Sequence, residues 1–259
     1  MKRLIYQVAV GKQSKLYNHC TTSVKEYADR HGIDYIKQTT PKLWIRPDPF
    51  VSNRSQECQS RPLPLPIFEK ENAFEYLDQY DQIAIIDSDV WIRPDAGSIF
   101  DDVDPNADFA AVVEREMPIT EQYQKKILNY SSMQYKPLHP KVDFKPNHLG
   151  YEFMNMGVMV LNKSILKYLK GQTPKEFLSR QEFKAFVDGM GPWKWSTDQT
   201  LLNWWIRKEE MNIQNLHWKW NGLYTANRKI QHCKFVHFFL KDKLPNAGED
   251  VEKLMEAVQ

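Results

Sequence analysis

The chain has 259 residues, 42% hydrophobic and 26% charged, an ordinary globular composition with length enough for a sizeable core. A net charge of +2 gives no broad electrostatic footprint for nucleic acid or an anionic membrane surface. Cys20, Cys58 and Cys233 are odd in number and widely spaced, so they form neither a zinc pattern nor a disulfide framework and suit a reducing compartment.

The opening MKRLIYQVAVGK pairs a basic start with a short apolar run. Gln7 interrupts that run and no small-residue cleavage site follows, so a first strand over Leu4 to Val10, closed by Gly11, is preferred to a signal peptide. No stretch reaches the ~18 apolar residues of a membrane span. The Asn-x-Ser sequences at Asn53, Asn129 and Asn162 are then chance occurrences, and the expected location is cytoplasmic.

A helix follows with Val24, Tyr27 and Ala28 on one face and Gly32 as its stop. Ile33 to Ile36 is a short second strand, and the proline-rich residues 39 to 66 form an irregular connection. Glu69 to Tyr80 is expected to be helical, with Ala73, Phe74 and Leu77 as its stripe. Ile83 to Ile86, apolar on both faces, is a strand interior to a mostly parallel sheet, and Phe109 to Val113 is another. This βαβ-rich half has the layout of nucleotide-binding α/β folds. From Glu114 to Tyr151 four prolines break the pattern, which points to a long functional loop. Order returns with a strand over 153–162, a helix starting near Ser196, a late strand over 234–240 and a short C-terminal helix. One domain over 1–259 is the economical expectation.

The strand Ile83 to Ile86 runs straight into Asp87, Ser88 and Asp89. An Asp-x-Asp pair is weak evidence alone, and the chain holds a second at Asp102 and Asp104 in a polar stretch that reads as a solvated turn. The first pair differs in context, because ligands of α/β sheets bind beyond the carboxyl ends of strands. In extended backbone both carboxylates would face one spot, and two close anions raise each other's pKa or recruit a cation. Oxygen ligands suit Mg²⁺ or Mn²⁺. Haloacid-dehalogenase phosphatases use the same short pattern, but Trp91 stands where they carry Thr or Val, and no later lysine-plus-acid signature follows.

Four segments in order, IAIIDSDVWIRPD (83–95), FMNMGVMVLNKS (153–164), STDQTLLNWW (196–205) and KFVHFFLKDK (234–243), resemble metal-dependent glycosyltransferases of the GT-A fold, particularly the glycogenin-like and galactosyltransferase-like families. The resemblance implies an α/β fold with a mostly parallel central sheet flanked by helices. It implies a nucleotide-binding half over 1–115 and an acceptor and catalytic half over 150–245. It implies transfer of a hexose from a nucleotide sugar to an acceptor hydroxyl on a glycan, with UDP the commonest donor nucleotide and a mostly retaining outcome.

Residue by residue, Asp87 and Asp89 match the family's DxD motif for Mn²⁺ and the donor diphosphate, with Ser88 between them, and His237 matches a third metal ligand. Lys243 falls where the family has a diphosphate lysine, although Leu240 replaces its intervening Gly and Leu244-Pro245 its Pro-Trp. Lys70 falls where similar proteins carry a donor-facing cation. Asn155 and Gly157 resemble the Asn-x-Gly that lines the donor sugar, and Asp198 and Gln199 the Asp-Gln beside its anomeric carbon. Ser196-x-x-Gln199 also reads as a capping box, with Asp198 complementing the helix dipole. The end of the first strand, Val8 to Lys12, should lie near the base, with Tyr6 and Gly11 as contacts. Six of the eight tryptophans fall between Trp193 and Trp220, suited equally to stacking on sugar faces and to filling the core. A lectin-like domain that keeps this fold and binds a glycan without turnover is the alternative.

Overall fold

The computed structural model describes residues 1–11, 14–54 and 64–258, so Lys12 and Cys58 lie outside the described residues. Its strands are β1 (Arg3–Val8), β2 (Asp34–Gln38), β3 (Gln82–Asp87), β4 (Val90–Ile92), β5 (Phe109–Val113), β6 (Met154–Asn162), β7 (Ile213–Asn215), β8 (Gly222–Leu223) and β9 (Phe235–His237). Six of them form a sheet in the order β2–β1–β3–β6–β5–β7. β1 pairs in parallel with β2 and β3, and β5 with β7, while β6 runs antiparallel between β3 and β5. The sheet is thus mostly parallel. The apolar runs of β3, β5 and β6 are buried throughout, as interior strands covered on both faces must be.

Helices cover the sheet. In α1 (Lys15–Arg30) the face Leu16, Cys20, Val24, Tyr27 and Ala28 is buried, and the Ser14 hydroxyl caps the N-terminus by accepting from the Tyr17 amide. A second helix, α2 (Glu121–Tyr135), lies inside the stretch expected to be irregular; the Thr120 side chain caps it. After three short helical segments between residues 166 and 188, the long helix α3 (Asp198–Lys208) packs against β6, and α4 (Val251–Val258) packs against α1. Residues 66–76 are two 3₁₀ turns, Pro66–Phe68 and Lys70–Tyr76, in place of the expected α-helix, although Ala73, Phe74 and Leu77 are buried as its stripe requires.

A small second sheet, β4–β9–β8, stands beyond the end of β3. Ser88 and Asp89 make the turn that carries the chain from the large sheet into the small one. That turn positions the site.

Candidate functional site

Three elements meet at the carboxyl end of β3. Asp87 is the last residue of that strand, and Asp89 lies in the following turn, so their convergence comes from the turn and not from the pleat of one extended strand. β9 lies antiparallel to β4 with His237 opposite Val90, and the Phe238 N–H donates to the Asp89 carbonyl at 2.9 Å. His237 Nε2 is thereby held 3.2 Å from Asp89 Oδ1 and 3.9 Å from Asp87 Oδ2. One ligand atom from each of the three residues lies within 4.8 Å of the others, a set that could hold a metal ion. Two carboxylates and an imidazole suit Mn²⁺ well, because the nitrogen donor favours it over Mg²⁺.

The ring of His237 rests against bare backbone. A Cβ on Gly157 would stand 2.3 Å from His237 Cε1 and 2.5 Å from Nδ1, so no other residue fits there without moving the His237 ring.

Burial opposes ionisation of Asp89, but His237 and the residue's own backbone amide hold its carboxyl below the usual range. Burial likewise opposes protonation of His237, and the charges of Asp89 and then Asp87 overcome it and raise its pKa. A histidine raised above its unfolded value of about 6.5 stabilises the fold below that pH and loses the contribution as pH rises through the folded value. In EDTA, the melting temperature should therefore fall as pH climbs from about 6.5 through the raised value. A His237→Gln variant should lack that fall. An identical pH profile in both proteins would refute the pairing.

Lys70 is the second centre of charge. Its Nζ is buried 2.9 Å from Asp87 Oδ1 and 2.6 Å from Asp198 Oδ2, and it donates to the Met156 carbonyl at 3.0 Å. Burial alone would lower the ammonium's pKa; the carboxylates of Asp198 and Asp87 more than offset this and raise it. On Asp198, burial and then the Lys70 charge act in opposite directions, and the 2.6 Å contact marks an ion pair. Neighbouring Glu71 is buried, and among the described residues neither of its carboxyl oxygens has a hydrogen-bond partner. Burial, followed by the charge of Asp198, pushes its pKa well above the carboxylate range.

β6 supplies backbone as well as side chains. Its register with β5 jumps from Val112↔Asn155 to Ala111↔Met159, which leaves residues 156–158 unpaired on that side. Such bulges free backbone groups for use at sites. Here the Met156 carbonyl receives Lys70, the Met156 N–H donates to Gln199 Oε1 at 3.3 Å, and the Gly157 N–H donates to Asn155 Oδ1 at 3.0 Å. Asp198 opens α3 as expected, but Thr197 is the cap, its hydroxyl accepting from the Gln199 amide at 3.2 Å. Ser196 lies buried one residue earlier with its hydroxyl turned to the Phe186 carbonyl, and Gln199 Oε1 accepts from the Met156 amide, so the capping box expected of Ser196 and Gln199 does not form.

Asp87, Asp89, His237, Lys70, Asn155, Gly157, Asp198 and Gln199 line one cavity of about 760 Å³, together with Ser88, Glu114, Tyr17, Tyr123, Tyr130 and Trp195. Val8 and Val10 reach it from the end of β1. Tyr6 does not: its side chain is buried in the core, where its hydroxyl bonds Gln38 and accepts from Asn72, so the expected base contact is not met. Tyr6 and Val8 share a face of β1, but Tyr6 lies inside the strand under the core while Val8 stands at its open end. Gly11, at φ +94°, turns the chain after Val10 but is not part of the cavity wall. Lys243 is exposed on a 3₁₀ turn outside the cavity, whereas Leu240, three residues earlier, lines it in a left-handed conformation (φ 58°). Leu240, expected to stand in for a glycine, thus lines the cavity, and Lys243 does not. Of the tryptophans, Trp204, Trp205 and Trp220 are core, and Trp195 is 63% exposed at the cavity.

Sequence reasoning missed Glu114 and Asn221 as individual residues. Glu114 directly follows β5 on the same edge of the sheet where Asp87 ends β3, so the strand-end rule applied a second time would have found it. Asn221 had no local signal, being one amide among aromatic and small residues.

No protein-family model matches the chain, and no curated protein does. Solved structures do match it. A glycosyltransferase involved in glycosylation of the major capsid of PBCV-1 aligns with a TM-score of 0.57 at 14% identity, covering 98% of this chain and 100% of that one. Mouse xyloside xylosyltransferase 1, in its apo form, gives 0.54 at 15% identity over 95% of this chain and 100% of that one. An active-site mutant of LgtC gives 0.51 at 14% identity over 98% and 94% of the two chains. Likeness at such identities is likeness of fold, and the fold is that of the GT-A glycosyltransferases. Among the described residues, no helix is long and apolar enough to cross a membrane.

Proposed function

We propose that the protein is a metal-dependent hexosyltransferase that moves a sugar from a UDP-sugar to a hydroxyl of a glycan or glycoconjugate, with retention at the anomeric carbon. One observation carries this reading: the Asp87, Asp89 and His237 cluster and the Lys70–Asp198 pair lie side by side in one cavity. Its volume of about 760 Å³ falls within the range of small-molecule sites.

Asp87, Asp89 and His237 would hold Mn²⁺, or Mg²⁺ less well. When bound, the ion supplies Lewis-acid neutralisation of the leaving diphosphate. Lys70 adds a buried positive charge beside the ion site and fixes the carboxylate of Asp198. Gln199 accepts from the Met156 amide through its oxygen, which leaves an N–H, besides the one paired with Tyr130, for the transferred sugar. The exposed ring of Trp195 offers an apolar face for an acceptor pyranose. The choice of UDP and of retention rests on the resemblance in the four motifs. We take 1–259 as one catalytic unit, in which 1–115 brings Val8 and Asp87, and 150–245 brings Asn155, Asp198 and His237. The segment between them adds Tyr123 and Tyr130 from α2 to the wall.

The direct test is incubation with a panel of nucleotide hexoses in Mn²⁺, following nucleotide release and the anomeric configuration of any product by NMR. UDP release that stops in EDTA is expected. A GDP- or dTDP-sugar winning the panel would overturn the UDP choice, and an inverted product the retention. Metal-dependent glycan binding with no turnover would make this a binding domain.

A further inference from the structure

We propose that Glu114, Asn155 and Asn221 form a polar chain of fixed direction that sets the tautomer of His237, which makes Asn221 a positioning residue for the metal ligand. The metal half of this inference rests on the function proposed above; the tautomer half does not.

The direction of the chain is set by a group that cannot reverse. The Gly157 backbone N–H donates to Asn155 Oδ1 at 3.0 Å, so that atom is the amide oxygen and not the nitrogen. Asn155 Nδ2 then points the other way and donates to Glu114 Oε2 at 2.7 Å, while the Tyr123 hydroxyl donates to Oε1 at 2.8 Å. The same Asn155 Oδ1 receives Asn221 Nδ2 at 2.8 Å, which fixes the second amide in turn. Asn221 Oδ1 is left 3.1 Å from His237 Nδ1 and can only accept. Nδ1 therefore carries the hydrogen, and in the neutral ring the lone pair sits on Nε2.

Nε2 is the atom facing Asp89 and Asp87. A lone pair aimed at two carboxylates is repulsive until Nε2 takes up a second proton or a metal cation stands among them. Metal-bound histidines ordinarily donate their other N–H to an oxygen that fixes the ring, and here that oxygen belongs to a carboxamide backed by a second carboxamide and a carboxylate. Exposures of 0% for Asn221, 4% for Glu114 and 7% for Asn155 leave little room for water to replace any member. Topology keeps them in register: β8, which starts at Gly222, pairs in parallel with β9, so Asn221 stands beside the strand that ends in His237.

The test uses two measurements on the full chain. In metal-free protein at alkaline pH, two-bond ¹H–¹⁵N correlations should show the His237 ring protonated at Nδ1. Asn221→Ala should convert it to the Nε2–H form or a mixture, whereas Asn221→Asp, which keeps an acceptor, should hold Nδ1–H. Mn²⁺ titration followed by electron paramagnetic resonance should show affinity weakened by about 10–100-fold in Asn221→Ala and by less in Asn221→Asp. An Nε2–H ring in the wild-type protein overturns the chain's direction, and it decides the matter even should Asn221→Ala fail to fold. Wild-type tautomer and Mn²⁺ affinity in a folded Asn221→Ala variant overturn the positioning role. Wild-type protein that shows Nδ1–H yet binds no Mn²⁺ upholds the direction of the chain while refuting the metal reading.

Discussion

Lys70→Met should cost the fold about 3–5 kcal/mol, the usual result of removing one partner from a buried ion pair. At roughly 2–4 °C per kcal/mol for a chain of this size, the melting temperature should fall by about 6–20 °C. The size follows from what is left behind. Asp198 is 5% exposed in its side chain and meets Lys70 at 2.6 Å, and Asp87, 28% exposed, meets it at 2.9 Å. Asp87 can turn to water or to an ion; Asp198 cannot, and its carboxyl would take up a proton instead. With its folded pKa pushed above the unfolded value, that carboxyl favours the fold in acid and loses the contribution as pH rises through the raised value. The deficit of Lys70→Met should accordingly shrink at low pH. Adding Asp198→Asn should recover much of the loss, because the two sites are coupled. Chemical denaturation of the two single variants and the double variant measures this. Additive losses, or a melting temperature within about 2 °C of wild type, would show that the pair contributes little to the fold.

Lys70 also shows where sequence reading stops. A lysine among polar neighbours at the start of an expected helix reads equally as surface charge or as donor contact. It turns inward because Glu69, the residue before it, is buried and accepts the Lys42, Leu43 and Trp44 amides at 2.8–3.1 Å, which folds the preceding loop over it. That arrangement depends on residues 25–27 positions away and leaves no local trace. The strand ends behave differently. The run Ile83 to Ile86 followed by Asp87 places its carboxylate by length and polarity alone, so it was legible; the late strand was expected over 234–240 but stops at His237, whose place in the site came from the motif resemblance. The helix α2 was not, because Pro118 and Pro137 flank a segment whose apolar stripe is weak. Tyr6 and Lys243 mark the other limit. A resemblance in motif order transfers a residue's neighbourhood but not the side chain's direction, which burial and loop shape decide.

Asp89→Asn should abolish the stabilisation that UDP confers in Mn²⁺. A ligand at ~100 times its Kd stabilises a protein by about 2.7 kcal/mol, which corresponds to a shift of about 5–10 °C. The wild-type protein should show that shift with Mn²⁺ and little of it in EDTA, because Asp87, Asp89 and His237 would hold the ion that neutralises the diphosphate; UMP, with no diphosphate, should give less. The asparagine has nearly the shape of the aspartate but lacks the charge that draws the ion, so its shift in Mn²⁺ should match the wild type in EDTA. Turnover should fall by a factor of about 100 or more, the cost of removing one electrostatic stabiliser of a developing charge. The metal-free fold should lose only about 1 kcal/mol, the net worth of an ordinary hydrogen bond to a partly exposed group. Relief of repulsion between Asp87 and Asp89 does not reverse that sign, because Asp89 already has His237 at 3.2 Å and Asp87 has Lys70 at 2.9 Å. Thermal shift with and without Mn²⁺, read beside turnover, separates the two roles of the residue. A UDP shift in Asp89→Asn equal to the wild type's would remove Asp89 from the ion site, and unfolding of the variant would make it a structural residue instead.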